Sequence, residues 1–551
     1  MLKTTEPERR KEDLHMYQWQ TPESLQTLLE ELVGWDSRST TAGEIDFAHK
    51  LEQKLNQLPY FQQNPQNLVL GDAGEQRKFV AALSTHPDAT KTIVLISHFD
   101  TVGIEEYGEL ATHAYSPDAL EKEFRAHKDS LSEVAAADLE SGDYLWGRGT
   151  MDMKAGLAIH MAIVEKAIAE QWPINLVLLT VPDEEVNSAG MRAAVKLLAE
   201  WKEEKKLAYA LFLNGEPVFS MNPTDTEYKV YSGSIGKIMP SALFYGKETH
   251  VGEPLSGMTS SLLASMMTRR MEMNPKFEEV VYGEVTPLPV TLHQKDLRES
   301  YSTQTPFLSS ALYNVFTMKQ SAADVFDEFE EVAKFAANEI DEWYTKVCER
   351  QGGSPLGKVR VMRYEALENY AVERLGEATV EAIKKQCLSL QDLDDREIAI
   401  QLTKELLTRF PELAPAIVLL FTPPYYPAVN STEDSLVQAC ISGIQALAKE
   451  KFELDVTQVH YFNGISDLSY VNYVGDPTGW EVYEANTPVW EVTYSIPFKE
   501  MEQLKAPVLN VGPFGKDAHK RTERLHIQSA FVETPMFVEE VIKTVIKRQT
   551  V

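Results

Sequence analysis

Residues 91–100 read KTIVLISHFD. An unbroken apolar run rich in Ile and Val is the pattern of a strand buried on both faces. This one stops on His98, Phe99 and Asp100. Two further runs repeat the design. INLVLLTVPDEE (174–185) ends in Asp183, Glu184 and Glu185, and AYALFLNGEP (208–217) ends in Glu216. KFVAALS (78–84) reads as another strand, and apolar residues at helical spacing mark helices over 22–33, 44–57, 155–170 and 189–205. Strand–helix–strand alternation predicts an α/β fold: a mainly parallel sheet with helices on both faces. The carboxyl ends of parallel strands share one rim, where ligands bind. The residues that end these runs are therefore expected to meet in space. WGRGTMDMKAG (146–156) adds Asp152 just before a helix.

The texture changes near residue 232. SGSIGKIMPSALFYGKETHVGE (232–253) and TPLPVTL (286–292) read as strands, 258–272 and 321–350 as helices, and 365–412 as wholly helical. After 432 the first texture returns, with a helix at 433–450, short strands at VWEVTYSI (489–496) and PVLNVG (507–512), and a final helix near 536–547. The expected organisation is a catalytic domain built from 1–231 and 431–551. It is interrupted by an α+β domain over 232–430 that a helical extension near 365–412 enlarges.

Composition narrows the function. Against 83 Asp and Glu stand 53 Lys and Arg, a net charge of −30 in 551 residues. Such a surface repels nucleic acid and anionic membranes, so neither is an expected partner. Three cysteines (Cys348, Cys387, Cys440) with no CxxC pair exclude a disulfide framework and a thiolate metal site. The opening MLKTTEPERRKEDLHMYQWQ lacks the apolar core of a secretory leader. The longest clean apolar runs, such as AIVLLF (416–421), fall far short of the roughly 20 residues of a membrane span. A reducing compartment, most simply the cytoplasm, is expected.

The residue types at the rim suggest metal chemistry. Clustered carboxylates without basic neighbours repel one another and are costly to desolvate, and cations offset that cost. A mixed imidazole and carboxylate set suits zinc and its neighbours. In His98-x-Asp100 the two side chains point to the same side of a strand. Asp100 is thus expected to hold the far ring nitrogen of His98 and fix its tautomer. Adjacent Glu184 and Glu185 diverge, so one can bind metal while the other faces a water, as metal-assisted hydrolysis needs.

The set SHFDTV (97–102), GRGTMDMKAG (147–156), PDEE (182–185), NGEP (214–217) and GPFGKDAHKRTE (512–523) resembles the co-catalytic zinc hydrolases of the aminoacylase, glutamate carboxypeptidase, ArgE and DapE superfamily. GKETHVGEP (246–254) resembles that family's lid, and the long helical extension is similar to an arginine-utilisation branch. The resemblance implies two divalent metal ions, most simply zinc, with cobalt or manganese as alternatives. It makes Asp152 the bridge, places His98 and Glu216 on one ion, and Glu185 and His519 on the other. It makes Glu184 the general base, Asp100 the residue orienting His98, and His250 the oxyanion donor, from its own chain or from a partner in a homodimer formed through the lid. It also implies a cis peptide at Asp152–Met153. The implied reaction is hydrolysis of an amide or peptide bond in an N-acyl amino acid or short peptide, with an arginine-related substrate implied by the branch. The alternatives are a non-catalytic scaffold with the same fold and a hydrolase of a non-peptide amide such as a carbamoyl group.

Plainer readings apply to neighbouring residues. His526 reads as structural, and His160, on an apolar helix face, as core. Asp467, in NGISD (463–467), reads as a loop brace or a helix cap. Asp183 reads as a surface neighbour, and Gly147-Arg148-Gly149 as a turn that delivers Asp152, since its spacing fits no phosphate-binding loop. The Asp-x-Arg that relatives carry in a lid strand is absent from SALYNVFTMK (310–319).

Overall fold

The structure, a computed structural model, describes residues 18–218, 227–390, 393–475 and 477–548. Most of the opening stretch read as leaderless, residues 1–17, lies outside the described residues. The chain divides into two compact units.

The first unit holds an eight-stranded sheet. Its order is Leu68–Asp72, Lys78–Ser84, Asn175–Val181, Thr92–His98, Tyr209–Asn214, Val508–Asn510, Tyr228–Tyr231 and Val456–Val459. From Asn175–Val181 to Val508–Asn510 the neighbours are parallel, and the antiparallel pairs lie outside that block. The apolar runs are unbroken because both faces are covered. Ile93, Leu95, Leu176, Leu178, Leu211 and Leu213 join one core with the helices Pro22–Val33, Ala42–Leu55, Ala155–Ala169, Ser435–Phe452 and Thr534–Lys547. Val94, Ile96, Val177, Leu179 and Phe212 alternate to the other face and are equally buried. Local chemistry sets the helix starts. The Asp434 carboxylate accepts the backbone N–H groups of Leu436 and Val437, capping Ser435–Phe452.

The second unit is Ile235–Ala428 with Val474–Ile496. Its sheet runs Val290–Asp296, Leu308–Thr317, Pro240–Tyr245, Ala416–Phe421 and Arg360–Arg363, with Gly236–Ile238 also on Leu308–Thr317. Ala322–Arg350 starts from a capping box of Ser321 and Asp324, and Asp395–Leu407 from one of Asp394 and Glu397. The extension expected near 365–412 is three helices, Tyr364–Leu375, Glu377–Leu388 and Asp395–Leu407.

Three expectations are corrected. The unit boundaries fall at 234/235 and 428/429, and Val474–Ile496 also belongs to the second unit, not to the first as the 431–551 assignment had it. VWEVTYSI forms no strand. Its segment makes the helix Pro477–Ala485 and tight turns through Trp490 and Tyr494. The aromatic side chains that suggested a strand pack instead on other rings: Trp490 lies 6.0 Å from Tyr483 and 6.5 Å from Tyr494. The strand expected over 286–292 begins only at Val290, because Pro287 and Pro289 offer no N–H to a ladder. Among the described residues no helix is long and apolar enough to cross a membrane.

Candidate metal centre

The parallel block delivers its three strand ends to one rim, as its topology requires. His98 is the last residue of Thr92–His98, the Asp183–Glu185 turn follows Asn175–Val181, and Glu216 follows Tyr209–Asn214. Glu216 is set by close backbone packing. A Cβ on Gly512 would lie 2.1 Å from the Glu216 carbonyl oxygen, and one on Gly156 would lie 2.3 Å from that of Gly215. Only glycine lets these segments touch. Asp152 arrives on the turn from Trp146, in which Gly147 and Gly149 have positive φ, and the Asp152–Met153 peptide is cis.

Two donor groups result: His98, Asp152 and Glu216, then Asp152, Glu185 and His519. His98 Nε2 lies 3.3 Å from Asp152 Oδ1 and 3.4 Å from Glu216 Oε1. His519 Nε2 lies 3.0 Å from Asp152 Oδ2 and 3.1 Å from Glu185 Oε1. The Asp152 carboxylate thus turns one oxygen to each group. Glu184 Oε2 stands 3.9 Å from His98 Nε2. Of the residues named from the sequence, the structure brings together His98, Asp100, Asp152, Glu184, Glu185, Glu216 and His519. His250 belongs to the second unit, exposed in a turn after Pro240–Tyr245, where its Nδ1 accepts the Gly252 N–H at 3.1 Å.

The electrostatics show what the donors lack. Burial raises Glu184 and Glu216 well above the usual carboxylate range; His98 opposes this, and neighbouring carboxylates add to it. Burial raises Glu185 too, against its hydrogen bond with His519. Burial works to lower His98 and His519, yet the carboxylates outweigh it, holding His98 well above its ordinary value and His519 at about 11. The crowded rim is thus short of positive charge. Divalent cations would supply the same positive charge, and the imidazole and carboxylate donors fit them.

Supporting contacts fix the donors. Asp100 was expected to hold His98 through its carboxylate. Nδ1 meets a carboxylate oxygen of Asp100 at 3.4 Å and, closer, its backbone carbonyl at 3.1 Å. The carboxylate mainly accepts the backbone N–H groups of Glu184 (3.1 Å) and Glu185 (3.2 Å) and the Ser39 hydroxyl (2.8 Å). Glu523, the last residue of the GPFGKDAHKRTE stretch, is fully buried. It accepts the N–H groups of Gly149 (2.8 Å), Met151 (3.2 Å) and Asp152 (3.4 Å), and its other oxygen takes Arg148 Nη1 at 2.5 Å. Arg148, read as part of a turn, is a buried cation that also pairs with Glu106.

Asp183 is buried, not a surface neighbour. It pairs with Arg77 and caps the following helix through the Ala189 N–H at 3.0 Å. Asp467 is buried at the start of the short turn Asp467–Tyr470, and its charge acts on Glu184 and Glu216. His160 is a core residue, and His526 accepts the Ser529 N–H through Nδ1.

Comparison with known proteins follows the same lines. Residues 123–533 match peptidase family M20/M25/M40. The chain is 39% identical over 536 residues to the uncharacterised protein YqjN of Bacillus subtilis strain 168, covering 96% of this chain and 98% of that protein. It is 28% identical over 537 residues to protein RocB of the same strain, covering 94% of each. Among solved structures, the M20 family metallo-carboxypeptidase Sso-CP2 from Sulfolobus solfataricus shares the fold, with a TM-score of 0.53 at 13% identity over 95% of this chain and 99% of that one. The family match runs through well over half of the chain and takes in Asp152, Glu184, Glu185, Glu216 and His519, so this is a member of peptidase family M20/M25/M40.

Proposed function

We propose that the chain is a two-metal hydrolase of an amide or peptide bond in a small substrate, an N-acyl amino acid or short peptide. The observation that carries this reading is the Asp152 carboxylate, shared between two donor groups beside Glu184. His98 and Glu216 would hold one ion, Glu185 and His519 the other, and zinc suits the donors best. When bound, such ions polarise the scissile carbonyl and acidify water.

Glu184 accepts the proton of the attacking water and returns it to the leaving amine. Burial raises the proton affinity of its carboxyl, which favours its taking up that proton. Asp100 keeps Glu184 and Glu185 in register by holding their N–H groups. Glu523 fixes the turn that presents Asp152. In this reading His250 donates to the oxyanion, from its own chain or from a partner in a homodimer. The resemblance of the helical extension to an arginine-utilisation branch favours an arginine-related substrate, and a cytoplasmic location is consistent with the unpaired cysteines.

The test is metal analysis followed by a hydrolysis screen over acyl-amino acids, dipeptides and carbamoyl amides, with zinc, cobalt or manganese added. Up to two ions per chain and turnover of an acyl-amino acid or dipeptide are expected. Metal binding without turnover of any amide would favour the scaffold reading, and turnover of carbamoyl amides alone the non-peptide one.

A further inference from the structure

The second unit contains a cavity of about 330 Å³ between its sheet and the helix Asp395–Leu407. Ser309 and Ser310, consecutive in the strand Leu308–Thr317, point to opposite faces. Ser309 bonds Ser260 at 2.7 Å on one side, and Ser310 faces the cavity on the other. The Ser310 hydroxyl is buried and has no hydrogen-bond partner among the described residues. Arg298 lines the same cavity. Its Nη1 donates to the Gln304 carbonyl at 2.7 Å, while its Nη2, equally shielded, has no partner. Buried donors left unmatched are rare and need an explanation.

Charge supplies one. Lys295, Arg298, Arg396 and Lys404 line the cavity. Asp296, Glu299 and Glu397 also line it and Asp394 engages Arg396 at 3.1 Å, so here cations match carboxylates, in a chain whose net charge is −30. Lys295 is only loosely engaged by Glu397 at 3.8 Å, and Lys404 reaches no closer than 3.4 Å to Gln401 Oε1. Leu312 and Ile400 give the wall an apolar part. We propose that this cavity binds a small organic anion, whose carboxylate or phosphoryl oxygens accept from Arg298 Nη2 and the Ser310 hydroxyl while Lys295 and Lys404 balance its charge. The volume suits a metabolite, not a polymer. None of these residues takes part in the metal centre, so the proposal stands apart from the reading of the reaction.

The experiment is calorimetric titration of the full chain with inorganic phosphate and, separately, with succinate, each on metal-loaded and on chelator-treated protein. Saturable binding of either anion, retained after chelation and weakened at least about tenfold in Arg298→Met and in Lys404→Met, is expected. Phosphate as the tighter probe identifies a phosphoryl ligand, and succinate a carboxylate. Absence of saturable binding by both anions overturns the proposal. Binding that disappears with the metal also overturns it, because the anion then sits on the ions. Affinity unchanged in the variants, with unchanged circular dichroism, overturns it too. Lys404 is partly exposed, so Lys404→Met decides the matter if Arg298→Met does not fold.

Discussion

Glu523→Gln probes how the bridging aspartate is held. The wild-type carboxylate is fully buried and does two jobs: one oxygen accepts three backbone N–H groups of the Gly149–Asp152 turn, and the other takes Arg148 at 2.5 Å. Glutamine has the same shape but one acceptor oxygen. Whichever job that oxygen keeps, the amide NH₂ faces a donor at the other. Arg148 is then left buried with only Glu106, whose side chain is 37% exposed, as an ionic partner. Breaking a buried ion pair costs about 3–5 kcal/mol. The hydrogen bonds that glutamine retains return about 1 kcal/mol. The expected loss is therefore about 2–4 kcal/mol of unfolding free energy, read from urea denaturation of the chelated protein with the m-value unchanged. Metal affinity should fall about 10–100-fold, as for other residues that support ligands. In a double-mutant cycle, Arg148→Met with Glu523→Gln should cost clearly less than the sum of the single changes. A Glu523→Gln loss under about 0.5 kcal/mol, with wild-type metal affinity, would refute the reasoning.

Four other outcomes follow. Glu184→Gln should retain metal by elemental analysis while turnover drops on the order of 10²–10⁴-fold; undiminished turnover removes Glu184 as the base. Asp152→Ala should weaken binding at both ion positions together, and loss of one ion alone would contradict a shared ligand. His250→Ala should lower kcat with metal content unchanged; released metal would make it a ligand instead. Burial drives His160 down to about 3, against about 6.5 in an unfolded chain. Below pH 6.5 the unfolded chain therefore binds a proton that the folded chain refuses. Stability should fall by about 2 kcal/mol by pH 5, and comparison of wild type with His160→Met should show this part of the slope removed.

The legible parts of the fold were those with a periodic signal. Unbroken apolar runs marked Thr92–His98 and Asn175–Val181 because burial on both faces demands it. Leu68–Asp72, a half-buried edge strand, carries no such mark. VWEVTYSI (489–496) looked like strand because aromatic and β-branched residues suit a sheet, and rings packed on rings satisfied them as well. At the site the donors were legible because only a few residue types can do that chemistry. The residues that position them were not. Glu523 bonds Gly149 across 374 positions, and its partner is a backbone N–H, which every residue but proline has.

That asymmetry has a structural reason. A ligand must be a particular side chain, whereas whatever aims it needs only an acceptor at the right place, and here the acceptors are mainly two buried carboxylates. Asp100 ties Glu184 and Glu185, from the end of Asn175–Val181, to the end of the adjacent strand Thr92–His98. Glu523, four residues after His519, ties the turn carrying Asp152 to the segment that supplies the far histidine. The backbone that carries Asp152, Glu184 and Glu185 is thus held by contacts that involve no ion. Carboxylates crowded without a cation would otherwise swing apart toward water, since their mutual repulsion is relieved by separation. Holding them by the backbone, not by their own oxygens, leaves those oxygens turned inward for ligation. Hydrogen bonds and an apolar core thus offset the cost of assembling like charges.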